Sequence, residues 1–143
     1  TVIETQKDTE RLIENTHESV KLTLDTGHML FAKGDSKYIL QNYHERILHV
    51  HCKDIRKQVL EKSLKEDLSF RGAFLEGAFT VPGDGCIDYQ PLFNVLKNNN
   101  YSGWLVVEAE QDPAKANPLE YAKIGYNYLT DTLKKSEIEI YKN

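Results

Sequence analysis

Ile47-Leu48-His49-Val50-His51-Cys52-Lys53-Asp54 opens on apolar and β-branched residues and runs into side chains that can bind a metal or carry a proton. A short apolar run of this kind reads as a buried strand. Alternate residues of a strand face the same side, so His49 and His51 point together and Lys53 continues their line. Cys52 faces the other way, into a core. A lone histidine on an apolar run is usually a hydrogen-bonded core residue, whereas two on one face running into Lys and Asp favour a site. His51, nearer the strand end, reads as a ligand and His49 as its support.

Two more runs follow the same pattern. Val20-Lys21-Leu22-Thr23-Leu24 ends in Asp25, and Trp104-Leu105-Val106-Val107 ends in Glu108. Helical signals lie around them. Thr5 followed by Asp8 is a capping signal before Leu12 and Ile13. Asp35 or Ser36 caps a helix carrying Ile39, Leu40 and Tyr43. Asp88 precedes Pro91 and a stripe of Leu92, Val95 and Leu96 that ends at Asn98-Asn99-Asn100. A last helix is predicted from about residue 118 to 135. Strands alternating with helices imply βαβ units and a parallel sheet. Residues 56–80 form a longer connection with its own helical pattern (Val59, Leu60, Leu64, Leu68), which reads equally as a lid over a site or as a surface excursion.

The strand ends carry the chemistry. Buried side chains converge on the C-terminal face of a parallel sheet, and a buried Asp25 needs a partner because an unpaired carboxylate is costly. In Leu24-Asp25-Thr26-Gly27-His28 the aspartate reads equally as a ligand or as the cap of a turn. Asp25, His51 and Glu108 together form a mixed oxygen and nitrogen set that suits Mn2+, Co2+ or Zn2+ and argues against a thiolate-rich structural zinc site. Glu110 and Asp112 read as a solvated loop. Val81-Pro82-Gly83-Asp84-Gly85 lacks the Lys-Ser/Thr continuation of a phosphate-binding loop and reads first as a turn leading to Asp88, second as a substrate contact.

Composition excludes several classes. The chain has 143 residues and a formal net charge of -4, with 40% hydrophobic and 28% charged residues, as in ordinary globular proteins. No basic stripe suits nucleic acid. No apolar run approaches the ~20 residues of a membrane span, and no signal-peptide pattern opens the chain. Cys52 and Cys86 form no C-x-x-C pair, which points to a reducing cytosol. The opening Thr1-Val2-Ile3-Glu4-Thr5, without a starting Met, reads as a chain already under way.

With Thr1 to Thr5, the stretches Leu24 to His28, His49 to Asp54, Val81 to Gly85 and Trp104 to Pro113 resemble the C-terminal half of the inosose dehydratase family. That family lies in the xylose-isomerase-like barrel superfamily, and the resemblance runs from residue 1 to about Leu129. It implies an α/β fold, the C-terminal half of a (β/α)8 TIM barrel over 1–143, with about three strands, four helices and a helical insertion at about 56–80. It implies a metal-dependent hydro-lyase of inositol catabolism that removes water from 2-keto-myo-inositol, a small cyclic polyol ketone. In the superfamily two Glu, one Asp and one His hold one metal, Mn2+ or Co2+ here with Zn2+ as a further option. Asp25, His51 and Glu108 match three of the four. The fourth is expected before residue 1, so the chain is expected to pair with a missing N-terminal half or to form a homo-oligomer.

The same resemblance gives His28 a substrate-binding and catalytic role and Glu108 a role as ligand and base. Lys53 would steady developing negative charge. Arg56 lies about one position from a substrate-binding Arg of related epimerases. Two other readings stand beside the dehydratase. One is a sugar isomerase or epimerase of the same superfamily, sharing the metal and the enediolate chemistry. The other is an inactive half barrel acting only in assembly.

Overall fold

A computed structural model describes residues 3–141 of the chain, so Thr1 and Val2 of the opening stretch lie outside the described residues. In chain order the elements are α1 (Gln6–Glu14), β1 (Leu22–Asp25), α2 (Thr26–Phe31), α3 (Ser36–Tyr43), a 3-10 turn (His44–Arg46), β2 (Ile47–Cys52), β3 (Asp54–Ile55), α4 (Lys57–Lys65), α5 (Phe70–Leu75), β4 (Phe79–Thr80), α6 (Tyr89–Asn98), β5 (Trp104–Val107) and α7 (Pro118–Lys135).

The caps follow local chemistry. Thr5 and Asp8 close a reciprocal capping box on α1, in which Thr5 Oγ1 accepts from the Asp8 amide and Asp8 Oδ2 accepts from the Thr5 amide. Asp35 caps α3, Asp88 caps α6 and Asn117 caps α7, each accepting from amides of the first turn. Pro118 occupies the first turn of α7, where its missing N–H costs nothing.

The strands β1, β2 and β5 form one parallel sheet in that order. Leu24, Val50 and Cys52 turn to one side and are buried against Ile39, Leu40, Tyr89, Phe93 and Leu96 of α3 and α6. Strand alternation then places Asp25, His49 and His51 on the opposite face. Trp104, the register partner of His49, is 64% exposed, so this second face is largely uncovered.

The 56–80 segment carries α4 and α5. It closes on a two-residue antiparallel ladder, in which β3 pairs with β4 around a small core of Ile55, Ala73, Ala78 and Phe79. Neither this ladder nor the six-residue α2 was read from the sequence.

Candidate metal centre

Register assembles the site. Asp25 stands opposite His51 in the β1–β2 pairing. Cys52 stands opposite Val107 in the β2–β5 pairing, and the Glu108 amide donates to the Cys52 carbonyl at 3.3 Å. Three strand ends therefore deliver Asp25, His51 and Glu108 to one rim. One donor atom from each lies within 4.8 Å of the others. Donors around one first-row ion at about 2.0–2.2 Å sit no more than about 4.4 Å apart, so shifts of a few tenths of an ångström complete the set.

A second observation fits a cation. Glu108 Oε2 is buried and accepts no hydrogen bond, although His51 Nδ1 stands only 2.7 Å away. His49 packs edge-on against His51 with ring centroids 5.2 Å apart and restrains its orientation.

Asp25 caps a helix and faces the candidate site at once. Oδ1 accepts from the His28 amide at 2.8 Å and caps α2, while Oδ2 faces the site, 3.0 Å from Lys53 Nζ and 3.7 Å from His51 Nδ1. A helix N-terminus favours a carboxylate, so capping and ligation support the same charge.

Lys53 is a buried cation in the middle of the cluster. Its side chain is 1% exposed, and Nζ lies 3.0 Å from Asp25 Oδ2, 3.1 Å from Glu108 Oε1 and 2.7 Å from Glu110 Oε2. Its backbone is clasped as well. Thr26 Oγ1 accepts from the Lys53 amide and donates to the Lys53 carbonyl at 2.7 Å, and the Tyr89 hydroxyl donates to the same carbonyl at 2.9 Å. Burial pulls the ammonium down, but the bonds from Glu110, Asp25 and Glu108 outweigh it and hold Lys53 above the ordinary lysine range.

Glu110 corrects the sequence reading, which placed it in a solvated loop. It accepts from Lys53 Nζ at 2.7 Å and from His28 Nε2 at 2.8 Å. Lys53 Nζ also stands 3.1 Å from the same Nε2, so ammonium, imidazole and carboxylate meet at one point. Although burial raises the Glu110 carboxyl, these two partners pull it below the usual carboxylate range. No local pattern signals this role, because Glu110 lies beyond the apolar run and reaches inward only through a left-handed backbone turn (φ +51°).

His28 is thus drawn into the cluster, and the rings of Phe79 and Phe70 stand edge-on to it at 5.4 and 5.6 Å. A cleft of about 210 Å3 opens beside β1 and reaches Asp25, His28 and Met29. Arg56, expected at the substrate, is held elsewhere. Its guanidinium donates to Asp84 at 2.6 Å, to Thr80 at 3.1 Å, to the Gly77 carbonyl at 2.8 Å and to the Tyr121 hydroxyl at 3.3 Å. None of the three donor side chains is among these partners. Asp84 therefore serves as an anchor of the Val81–Gly85 turn, in line with the structural reading of that loop. Cys52 is fully buried, with its thiol pushed up by burial, as befits a core residue.

The model of the xylose isomerase-like TIM barrel family matches residues 1–132. The chain belongs to this family. Among relatives, it is 51% identical to an inosose dehydratase of Clostridium beijerinckii over 92% of this chain and 44% of that protein. It is 48% identical to the inosose dehydratase of Lactiplantibacillus plantarum over 93% of this chain and 45% of that protein. It is 49% identical to the rhizopine catabolism protein MocC of Rhizobium meliloti over 90% of this chain and 40% of that protein. The chain thus spans less than half the length of these relatives. Among solved structures, the IOLI protein with a binding zinc atom superposes with a TM-score of 0.66 at 20% identity, over 93% of this chain and 45% of that one. This likeness shows the fold, and the parallel three-stranded sheet is part of such a barrel.

Proposed function

We propose that this chain carries three of the four metal ligands of a hydro-lyase that removes water from 2-keto-myo-inositol in inositol catabolism. The observation that carries the reading is the convergence of Asp25, His51 and Glu108 within 4.8 Å on a barrel rim. About 50% identity to inosose dehydratases supports the substrate class. Mn2+ or Co2+ is the metal of this reading; the zinc named for the IOLI structure marks the same class of site. The uncovered face of the sheet is the surface against which the remaining barrel strands pack, and a second Glu from them completes the ligand set.

A bound divalent ion supplies Lewis-acid polarisation of the ketone, which acidifies the neighbouring C–H. The protein's side chains do the rest. Glu108 takes the α-proton as general base. His28, held against Glu110, binds a ring oxygen. Lys53 stabilises the enediolate charge and stands ready to protonate the departing β-hydroxyl. Arg56 is assigned to the neighbouring turn instead of to the substrate. The free thiols Cys52 and Cys86 suit the cytosol as the compartment of this reading. Among the described residues no helix is long and apolar enough to cross a membrane.

The test is product analysis on the full-length protein with 2-keto-myo-inositol and Mn2+. Loss of one water, seen by mass and by the ultraviolet absorbance of a conjugated product, is expected. Glu108→Gln is expected to abolish it with the fold intact. An unchanged mass with a rearranged carbonyl would replace the dehydratase reading by isomerisation, and wild-type turnover in Glu108→Gln would remove Glu108 as the base.

A further inference from the structure

The divalent-ion reading assigns Asp25, His51 and Glu108 but leaves a physical problem. A dication bound by these residues shares two of its carboxylates with an ammonium that already touches both. Lys53 has no route away. Its side chain is 1% exposed, its stem lies across Gly27, and its head stands 5.6 Å from the centroid of the Phe79 ring. Ammonium and ion must therefore coexist, and like charges in a shielded site repel strongly.

Resting on that reading, we propose that Glu110 is the positioning residue that lets them coexist: its carboxylate shares the Lys53 ammonium with Asp25 and Glu108 and offsets its charge, so that lysine and divalent ion are bound together. Three observations carry this. The Glu110 contact, at 2.7 Å, is the shortest of the three that Lys53 Nζ makes to carboxylates, and Glu110 is the one carboxylate among them outside the ligand triad. The three carboxylates of this chain and one ammonium leave two negative charges facing the ion, and without Glu110 only one would remain. Finally, Glu110 holds a left-handed backbone (φ +51°) that L-residues other than Asn and Asp adopt at a cost. Its two side-chain contacts, to Lys53 and His28, are what that conformation secures.

The experiment is calorimetric titration of Mn2+ into the full-length protein and its variants, with circular dichroism to establish that each is folded. Glu110→Gln is expected to weaken Mn2+ binding by about 10–100-fold, the range seen when residues behind a metal's ligands are changed. Lys53→Met is expected to tighten binding, and the double variant to return towards wild type, because each change removes what the other compensates. Asp25→Asn, which removes a ligand, reports on the metal centre itself. Binding lost in Asp25→Asn but unchanged in Glu110→Gln would overturn the role of Glu110 while leaving the metal site standing. Wild-type protein without Mn2+ affinity, or affinity indifferent to Asp25→Asn, would overturn the metal centre and this inference with it. Should Lys53→Met not fold, Glu110→Gln alone decides.

Discussion

Lys53 lies across Gly27 so closely that a β-carbon on the glycine would come within 2.7 Å of Lys53 Cγ. The lysine cannot swing aside, because its head is fixed by three carboxylates and its backbone by Thr26 and Tyr89. Gly27→Ala therefore sets two effects against each other. The helix α2 gains about 1 kcal/mol in propensity, while overpacking costs about 1–3 kcal/mol. The expected outcome is a net loss of up to about 2 kcal/mol, measured by denaturant unfolding, with weakened Mn2+ binding as Lys53 is pushed into the ligand carboxylates. An equally stable variant with unchanged Mn2+ affinity would show that the lysine can move.

Asp54 makes a second, independent test. It is fully buried, and its Oδ1 accepts from the amides of Ile55 at 2.7 Å and of Cys86 and Ile87 at 2.9 Å. It thereby ties the start of β3 to the far side of the Val81–Gly85 turn. Burial outweighs these bonds and raises the Asp54 carboxyl above the ordinary aspartate range. A carboxyl raised in the folded state contributes stability that is fully present below the unfolded value of about 4 and is lost as pH rises through the raised value. Asp54→Asn keeps one acceptor and should flatten that loss, staying within about 1 kcal/mol of wild type at neutral pH. Asp54→Ala leaves the three amides without their acceptor and should cost about 1–3 kcal/mol. Stability measured against pH separates the two; a wild-type slope in Asp54→Asn would dismiss the carboxyl as its source.

The candidate donor cluster was legible because each member sits at the end of an apolar run, where strand alternation and a shared register fix the direction of the side chain. Asp25, His51 and Glu108 needed only local pattern and the parallel sheet that the alternation of elements implies. The partners of Glu110 and Arg56 were hidden for the opposite reason. Their contacts span 57 residues for Lys53 to Glu110 and 28 for Arg56 to Asp84, and run between loops whose conformation no periodicity encodes. The β3–β4 ladder is hidden for a related reason: two-residue strands carry too few positions to show a period. Thr26 and Tyr89, which clasp the Lys53 backbone, look like ordinary helix residues until the fold brings them together.

Arg56 and Asp84 offer a test of the loop. The guanidinium joins Asp84, Thr80, Gly77 and Tyr121, and Gln111 donates to the same Thr80 hydroxyl at 3.2 Å, so one arginine links the 56–80 insertion, the Val81–Gly85 turn and α7. Lys cannot reproduce a fork with several partners. Arg56→Lys and Asp84→Asn are each expected to cost about 1 kcal/mol, a value held down by the partial exposure of the pair, and the double variant should cost less than their sum. Mn2+ affinity should stay at the wild-type value in all three. A rise in KM confined to Arg56→Lys, with Asp84→Asn silent, would return Arg56 to the substrate.

Phe70 decides what the 56–80 insertion is for. It sits at the start of α5, 44% exposed, with its ring edge-on to His28 at 5.6 Å and tilted against Phe79 at 5.2 Å. A half-exposed aromatic costs little to truncate in stability, so Phe70→Ala should lower it by less than about 1 kcal/mol. If the insertion only decorates the surface, nothing else changes. If it forms a wall of the site, Phe70 presents an apolar face to the ring carbons of a cyclic polyol whose hydroxyls are met by His28 and the metal. An aromatic contact is worth about 0.5–1.5 kcal/mol, which corresponds to a rise of about two- to tenfold in KM. The expected outcome is that rise in KM, with kcat and Mn2+ affinity close to wild type, because Phe70 touches neither the ligands nor the base. An unchanged KM would assign the insertion to packing around Phe79 alone.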